Sequence, residues 1–432
     1  MRRLALTTLL ACAALALAAG AAQALVVSVE GHRFGLEPIP GAAHRKGASP
    51  ALRSAGKPLS SKPLIYQEGG PVMPSNTNYA IYWDPTGGAA YPAGYQSGID
   101  RWFEDLAHDS GALSNTDSVL TQYGDRFEQH ANYDSHFAGA LIDTDPYPAV
   151  NGCSAAPSCL SAAQIRGEIR SFVQANSLPA DISHMYFLLT PKGVESCTDK
   201  AEKVCSQGTG QPHAAYCAYH DYIELAKGLI VYANDPFVPG LSCGDEENKP
   251  NGDVSDEEIA GGLAHEHSEG VTDPELNAWY DEHGYEVADK CRKFTPEVEY
   301  GTPLGKAPDG SSFNQVLNGH EYWYQQEWSN ETGGCSQRRL QAPAIKKMKP
   351  KSGPETGGTA VVITGSGFTS TSVVDFGENE SKEVTFTSPT SITAVSPAHA
   401  VGAVEVTVTT AGGTSSAENT KARFKYKKVK AK

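Results

Sequence analysis

The chain has 432 residues, 50 of them acidic and 35 basic, and a formal net charge of −15. Such an acidic chain repels nucleic-acid phosphates and anionic lipids, which argues against either as a partner. Beyond the N-terminus, no stretch is long and apolar enough to predict a transmembrane helix.

The N-terminus predicts export. Arg2 and Arg3 precede an apolar run from Leu4 to Ala19, and Ala22-Gln23-Ala24 follows as a cleavage pattern, so residues 1–24 are predicted to be a signal peptide. Acylation of Cys12, as in a lipoprotein, is disfavoured because the apolar run continues past it. Without the signal peptide, 33 basic and 50 acidic residues remain, a net charge of −17. The protein is therefore expected to be secreted, in an extracellular or periplasmic location.

Cysteine usage agrees with an oxidising compartment. The chain has nine cysteines, and an exported form without Cys12 has eight, an even number that predicts four disulfides. A Cys₄ metal site is the alternative, but no paired C-x-x-C motif is present. Eight cysteines allow 105 connectivities, so the sequence alone does not assign the pairs. The short-range pairs Cys153–Cys159 and Cys197–Cys205 are plausible, and Cys291–Cys335 would tie the chain back beside the motif described below. The remaining two candidates are Cys217 and Cys243.

Residues 25–62 follow the predicted cleavage site. After the short apolar run Val26–Val29 they are poor in core-forming side chains and rich in Gly, Pro, Ser, Lys and Arg. This composition predicts a linker or a pro-segment.

Residues 63–340 alternate between strand-like and helix-like runs. About 280 residues of this kind can bury a sizeable single core, and the pattern predicts an α/β or α+β domain of unknown strand order. The predicted strands are residues 78–83, 184–189, 229–232 and 285–289, and the predicted helices are Tyr95–Ala107 and Ser161–Ala175.

A further helix is predicted between Ser255 and Pro274. Ser255 and Glu258 have the spacing of a capping box, and Gly270 followed by Pro274 predicts the end of the helix. Leu263 and its apolar neighbours supply the face that would pack on the core.

This helix carries the motif His265-Glu266-x-x-Glu269. His265 and Glu269 are one turn apart, so they lie on one face and can share a metal ion, with Glu266 beside them. In the H-E-x-x-H metallohydrolases the same glutamate accepts a proton from water. Here the second histidine is replaced by glutamate, which makes the motif less specific.

A third metal ligand is expected from the segment after the helix. Glu286 or Asp289 would complete the set, and His283 is a further candidate. Glu266 would then remain as the general base of a zincin-like Zn²⁺ site. Two carboxylate ligands also make harder ions such as Ca²⁺ or Mn²⁺ competitive. The non-catalytic alternative is a buried His265–Glu269 hydrogen bond that fastens the helix to the Asp289 segment.

Residues 343–426 have almost no helix signal. Val361–Thr364 and Val404–Val408 alternate as half-buried strands between Gly/Pro turns, which predicts a small β-sandwich. The motifs Gly357-Gly358-Thr359, Ile363-Thr364-Gly365-Ser366-Gly367-Phe368 and Val374-Asp375-Phe376-Gly377 resemble the immunoglobulin-like IPT/TIG domain. That resemblance implies an interaction or spacer module in an exported protein. Residues 427–432 form a basic tail.

Residues 64–335 resemble the phosphate-induced protein 1 family, whose plant members are called EXORDIUM-like. The resemblance depends on the order of several motifs, among them Asn78–Trp83, Cys217-Ala218-Tyr219-His220, His265-Glu266-x-x-Glu269, Asn277-Ala278-Trp279-Tyr280 and Glu286-Val287-Ala288-Asp289-x-Cys291. It implies a secreted protein associated with the cell exterior or wall and supplies no catalytic mechanism. Asp273-Pro274 departs from the Asn-Pro usual in plants.

Three functions are compatible with these patterns, the third of which is a calcium-stabilised adhesion module. The first is a secreted metal-dependent peptidase or amide hydrolase with a zincin-like main domain, Zn²⁺ bound by His265, Glu269 and Glu286 or Asp289, and Glu266 as catalytic base. The second is a non-catalytic protein that binds wall polysaccharide or a surface partner, with a structural His/Glu cluster. The expected partners are accordingly an extracellular peptide, protein or polysaccharide.

Overall fold

A computed structural model of the chain describes residues 25–39, 62–67, 69–210, 214–292, 299–339, 342–368, 372–388, 390–410, 412–415 and 421–429. The predicted signal peptide, residues 1–24, lies outside these ranges. Within them, no helix is both long and apolar enough to cross a membrane.

The centre of the main domain is a ten-stranded mixed sheet. Its strands follow the order β5-β4-β7-β11-β10-β9-β8-β6, and β2 pairs with β10 while β1 pairs with β2. The first four strands of that order are parallel, whereas β10 runs antiparallel to β11. The strands of this region, including the separate short strand β3, are β1 Leu25–Val29, β2 His32–Pro38, β3 Ile65–Tyr66, β4 Asn76–Trp83, β5 Ser135–Asp143, β6 Ser158–Ser161, β7 His184–Thr190, β8 Val194–Cys197, β9 Cys205–Ser206, β10 Ala214–Glu224 and β11 Leu229–Pro236.

Helices cover both faces of this sheet. Successive side chains of β7 point to opposite faces, so Phe187 packs in one core with Trp102 and Leu263, whereas Tyr186 packs in the other with Ile169. The helices are α1 Tyr95–His108, α2 Asp117–Leu120, α3 Ala162–Ala175, α4 Ser255–Glu258 and α5 Ala264–Thr272, with a π-helical turn at Ile259–Leu263 between the last two. The predicted helices and the first three predicted strands are confirmed to within a few residues at each end.

Residues 25–38 belong to the sheet. β2 pairs antiparallel with β10, placing Leu36 opposite Tyr219 and Gly35 opposite His220. The prediction of a linker is therefore wrong for this part, because its few apolar residues are buried by pairing with a distant strand. Residues 40–61 lie outside the described residues, and removal of the segment as a pro-segment stays a prediction.

The chain after α5 is built of short elements. The predicted strand at residues 285–289 is wrong: the Glu286 N–H donates to Asp289 Oδ2 (2.7 Å) and closes a turn that leads into the 3₁₀ helix Asp289–Cys291. The strands that follow α5 are β12 Trp279–Tyr280, β13 Gly305–Lys306, β14 Ser312–Phe313, β15 Gln315–Leu317, β16 His320–Tyr322, β17 Glu327–Ser329 and β18 Gly334–Ser336.

Four disulfides tie the main domain together. The three expected pairs, Cys153–Cys159, Cys197–Cys205 and Cys291–Cys335, are confirmed, and Cys217–Cys243 is the fourth. Cys291–Cys335 closes a separation of 44 residues and lies two residues after Asp289. It therefore helps to hold the Asp289 segment beside α5, the helix that carries His265 and Glu269.

The C-terminal domain is all-β, as predicted. Its two sheets have the orders β19-β21-β25-β24 and β20-β28-β26-β22-β23, and β27 pairs with β26. Alternate residues of β21 and β26, such as Val361, Ile363, Val406 and Val408, are fully buried in the core of this domain. The strands are β19 Ala344–Lys349, β20 Ser352–Pro354, β21 Ala360–Ser366, β22 Val373–Phe376, β23 Asn379–Glu380, β24 Val384–Ser388, β25 Ser391–Val395, β26 Gly402–Thr410, β27 Gly413–Thr414 and β28 Arg423–Lys427.

Candidate metal centre

We call α4, the π turn and α5 together the motif helix. This helix begins differently from the prediction. Asp253 accepts hydrogen bonds from the backbone N–H and the hydroxyl of Ser255. Glu258 instead accepts the backbone N–H of Val238 (3.1 Å), so the predicted Ser255–Glu258 capping box is wrong. A carboxylate two residues before Ser255 takes the capping role, as Asp does at many helix starts. The last helical residue is Thr272, so Gly270 does not end the helix.

A π turn and two glycines bring this helix close to its neighbours. Such turns interrupt α-helices frequently at functional sites. A Cβ on Gly261 would lie 3.0 Å from the backbone nitrogen of Gly244, and one on Gly262 would lie 3.0 Å from Ala218 Cβ. The absence of these side chains lets the helix pack directly on β10 and on the loop that follows β11.

Gln325 determines the tautomer of His265. The Gln325 amide donates to the Ala288 carbonyl (3.0 Å), which points its oxygen at His265 Nδ1, also 3.0 Å away. His265 Nδ1 must therefore carry the proton, and in the neutral ring Nε2 has the free lone pair. A histidine whose other nitrogen is held by an acceptor in this way is prepared for metal binding.

His265 Nε2 faces two carboxylates. Nε2 lies 3.1 Å from Glu269 Oε1 and 3.1 Å from Asp289 Oδ1, yet it has no hydrogen-bond partner because neither oxygen is aligned with it. Ligand atoms bound 2.0–2.1 Å from a tetrahedral zinc ion lie about 3.3 Å apart. The two distances from Nε2 are close to this spacing, the three ligand atoms lie within 4.8 Å of one another, and all three side chains are buried.

Glu266 is held by a histidine that the sequence did not single out. His220, on β10, donates through Nδ1 to Glu266 Oε2 (3.0 Å), and its Nδ1 lies 3.8 Å from Glu269 Oε2. The three residues form a second set of potential metal ligands that shares Glu269 with the first. In the sequence, His220 appears only in Cys217-Ala218-Tyr219-His220, one of the motifs of the EXORDIUM-like resemblance, which indicates no role for it. His220 is fully buried.

Glu286 and His283 lie outside the His265 set. Glu286 Oε1 is 3.7 Å from His220 Nε2, and neither oxygen of Glu286 has a hydrogen-bond partner. His283 contacts Glu282 and Tyr285 at the edge of the domain. Gly35 leaves space for the His220 ring, because a Cβ at this position would clash with it.

The cluster has far more carboxylates than cations. In the described part of the chain, four of its five buried carboxylates form ion pairs, and their partners are two histidines only, His220 and His265. Isolated buried carboxylates are unstable unless a cation or a proton neutralises them. The carboxylates are Glu266, Glu269, Asp273, Glu286 and Asp289, and each is 0 % exposed.

The pKa shifts reflect this imbalance. Burial raises the pKa of Glu266 well above its usual value, although the charge of His265 opposes this shift. Burial and the charge of Glu269 raise the pKa of Asp289 well above its usual value. Burial by itself lowers the pKa of His265, but the charge of Glu269 and the contact with Asp289 raise it well above its usual range. A divalent cation between these groups would supply the positive charge that the chain lacks.

Replacing Gln325 with Met is expected to weaken zinc binding by about 10–100-fold, because nothing then fixes the His265 tautomer. Gln315→Met is the matched control, since both glutamines are nearly fully buried. Affinity is measured by competition with a zinc-binding dye. Equal losses in both variants would show that the Gln325 effect is a general packing defect.

Comparisons with known proteins confirm the two resemblances. Residues 343–426 match the IPT/TIG domain family, so the C-terminal domain is of this type. Over 208 residues the chain is 29% identical to Protein EXORDIUM-like 3 of Arabidopsis thaliana. That match covers 41% of this chain and 57% of the relative, so the chain spans little more than half of the relative's length.

Solved structures show local likeness. The plexin A4 extracellular region is 28% identical over 20% of this chain and 8% of its own, with a TM-score of 0.18. SGBP-B, from a complex xyloglucan utilization locus in Bacteroides uniformis, is 18% identical over 26% of this chain and 33% of its own, with a TM-score of 0.19. TM-scores this low do not indicate a common overall fold.

Proposed function

We propose that the main domain of this chain is a secreted, zincin-like metallohydrolase of peptide or amide bonds. The chain is disulfide-bonded and of an extracellular type, and it joins an EXORDIUM-like region to an IPT/TIG domain. The observation that carries this proposal is the position of His265 Nε2, which lies 3.1 Å from two buried carboxylate oxygens without forming a hydrogen bond to either. A nitrogen in that position needs a positive charge, either its own proton or a metal ion that replaces the proton, and the proposal is the metal ion.

The proposed ligands are His265 Nε2, Glu269 and Asp289. Zn²⁺ suits a mixed nitrogen and oxygen set at tetrahedral spacing, whereas Ca²⁺ prefers six to eight oxygen ligands. With two carboxylates in the set, Mn²⁺ is the main competitor. A zinc ion held there would supply Lewis acidity and lower the pKa of a water molecule.

The second set, which contains His220, fits a different role. His220 already donates a well-aligned hydrogen bond to Glu266, so this nitrogen has a partner and needs no metal. The bond orients Glu266 and leaves its other oxygen, Oε1, buried without a partner. We assign Glu266 as the proton acceptor and His220 as the residue that positions it.

A non-catalytic function is the second candidate, and one observation favours it. His220, His265 and the five carboxylates of the cluster are at most 1 % exposed, so a substrate would reach them only through movement of the covering segments. In this case the cluster stabilises the motif helix, and the protein binds a surface partner or wall polysaccharide without chemistry.

Metal content and hydrolysis, measured together, separate the two candidates. The mature protein is purified from an oxidising host without added metal, analysed for bound elements, and assayed on a peptide library with and without a chelator. About one zinc ion per chain and hydrolysis that the chelator abolishes would support the hydrolase. Bound metal without hydrolysis, or a folded protein without metal, would overturn it in favour of the second candidate.

A further inference from the structure

A second group of acidic side chains lies away from the metal centre, where β5 ends. Asp143, Asp145 and Glu168, here named the acidic trio, each offer a carboxylate oxygen within 4.8 Å of the other two. Asp143 is the last residue of β5 and Glu168 lies on α3, so the tertiary fold brings them together.

The loop after β5 holds the two aspartates in place. The Asp145 N–H donates to Asp143 Oδ1 (2.9 Å), and the indole of Trp83 donates to the Asp145 carbonyl (2.9 Å). The hydroxyl of Tyr147 donates in turn to the Trp83 carbonyl (2.8 Å). The spacing of these carboxylates is therefore set by backbone and aromatic contacts rather than by flexible side chains alone.

Two oxygens of the trio lack partners. Asp143 is only 1 % exposed, and its Oδ2 has no hydrogen-bond partner. Glu168 is half-buried, and its Oε1 also has no hydrogen-bond partner. Within the described ranges, no lysine, arginine or histidine lies within 4 Å of any of the three carboxylates. Three like charges in partial burial need either a proton or a cation between them.

We infer that the acidic trio binds a calcium ion. Its donors are hard carboxylate oxygens without imidazole or thiolate, and the exposed position of Asp145 leaves room for water to complete the coordination shell. Calcium sites of extracellular modules have dissociation constants of about 10⁻⁴–10⁻³ M, and the four disulfides place this chain in an oxidising compartment.

A proton shared by Asp143 and Glu168 is the competing occupant. Burial and the neighbouring charges of Asp143 and Asp145 raise the pKa of Glu168 to about 7. The proton is therefore bound below pH 7 and released above it. Calcium affinity should rise between pH 6 and pH 8, because Glu168 then no longer has to lose a proton on binding.

Terbium luminescence tests this site, because Trp83 contacts the Asp145 carbonyl and can sensitise a bound Tb³⁺ ion. We expect luminescence that Ca²⁺ displaces, with affinity reduced about tenfold or more by Asp145→Asn and by Glu168→Gln. Glu104→Gln, an exposed glutamate on α1, is the matched control and should bind normally. Asp145 is exposed, so its substitution leaves the fold intact.

The same titration in His265→Ala keeps this proposal separate from the zinc centre. Displaceable luminescence must persist in that variant, since the trio shares no residue with the cluster. Absence of Ca²⁺-displaceable signal in the unmodified protein at pH 8, or equal signal in Asp145→Asn and Glu168→Gln, would overturn the calcium site in favour of the shared proton.

Discussion

Replacing His265 with Ala is expected to abolish the proposed metal site of the main domain, with zinc affinity falling by at least about 100-fold. His265 supplies the one nitrogen ligand of the proposed set, and its Nε2 lies 3.1 Å from both carboxylate partners. Without it, Glu269 and Asp289 remain as two buried carboxylates that cannot form a zinc site alone. Elemental analysis of the purified variant measures the loss directly.

His267→Ala is the matched control for this substitution. The two histidines lie two residues apart on the same helix, and each is 1 % exposed. His267 faces Asn76, Asn78 and Asp117 instead of the cluster, and burial lowers its pKa to about 3. We expect the control to keep its zinc. Equal metal loss in both variants would attribute the effect to the fold, and full retention in His265→Ala would refute the proposed ligand set.

Replacing Glu266 with Gln is expected to lower the rate of peptide hydrolysis by about 10²–10⁴-fold while bound zinc stays near the level of the unmodified protein. Glutamine has nearly the same shape and still accepts the hydrogen bond from His220, but it cannot take a proton from water. Turnover of a peptide substrate and metal content are measured on the same preparation, so that chemistry and binding are separated.

Glu258→Gln provides the control for Glu266→Gln. Glu258 lies on the same motif helix and is also 0 % exposed, but it bonds the Val238 backbone outside the cluster. Its variant should keep both metal and activity. Unchanged hydrolysis in Glu266→Gln would rule out Glu266 as the base, whereas loss of metal would make it a ligand of the ion.

The long helices and strands were predictable because the spacing of their apolar residues is visible within a short stretch of sequence. The apolar spacing in α1 and α3 and the apolar runs in β4, β7 and β11 report which face is buried, and each confirmed prediction depends on such a run. The predictions at residues 25–38 and 285–289 were wrong for the opposite reason. Their conformation depends on partners far along the chain, namely β10 for the first and the motif helix for the second.

The site was predictable only in part. The spacing of His265, Glu266 and Glu269 already places them on one helix, and the expectation that Asp289 returns to them agrees with the geometry. His220 and Gln325 had no sequence signal of comparable strength. His220 acts through a hydrogen bond to Glu266, and Gln325 through a hydrogen bond with His265 Nδ1. Both contacts join residues far apart in the chain, so the periodicity of the sequence does not indicate them.

The sequence by itself predicted an exported, disulfide-bonded chain, suggested three of its four disulfide pairs, and indicated the IPT/TIG domain and the helix that carries the motif, because each depends on composition, spacing or local periodicity. Only the tertiary structure decided that Asp289 and not Glu286 faces His265, that His220 holds Glu266, and that the acidic trio forms at all. These choices depend on distances between residues far apart in the chain, which the packing of helices against the sheet sets and local sequence does not encode.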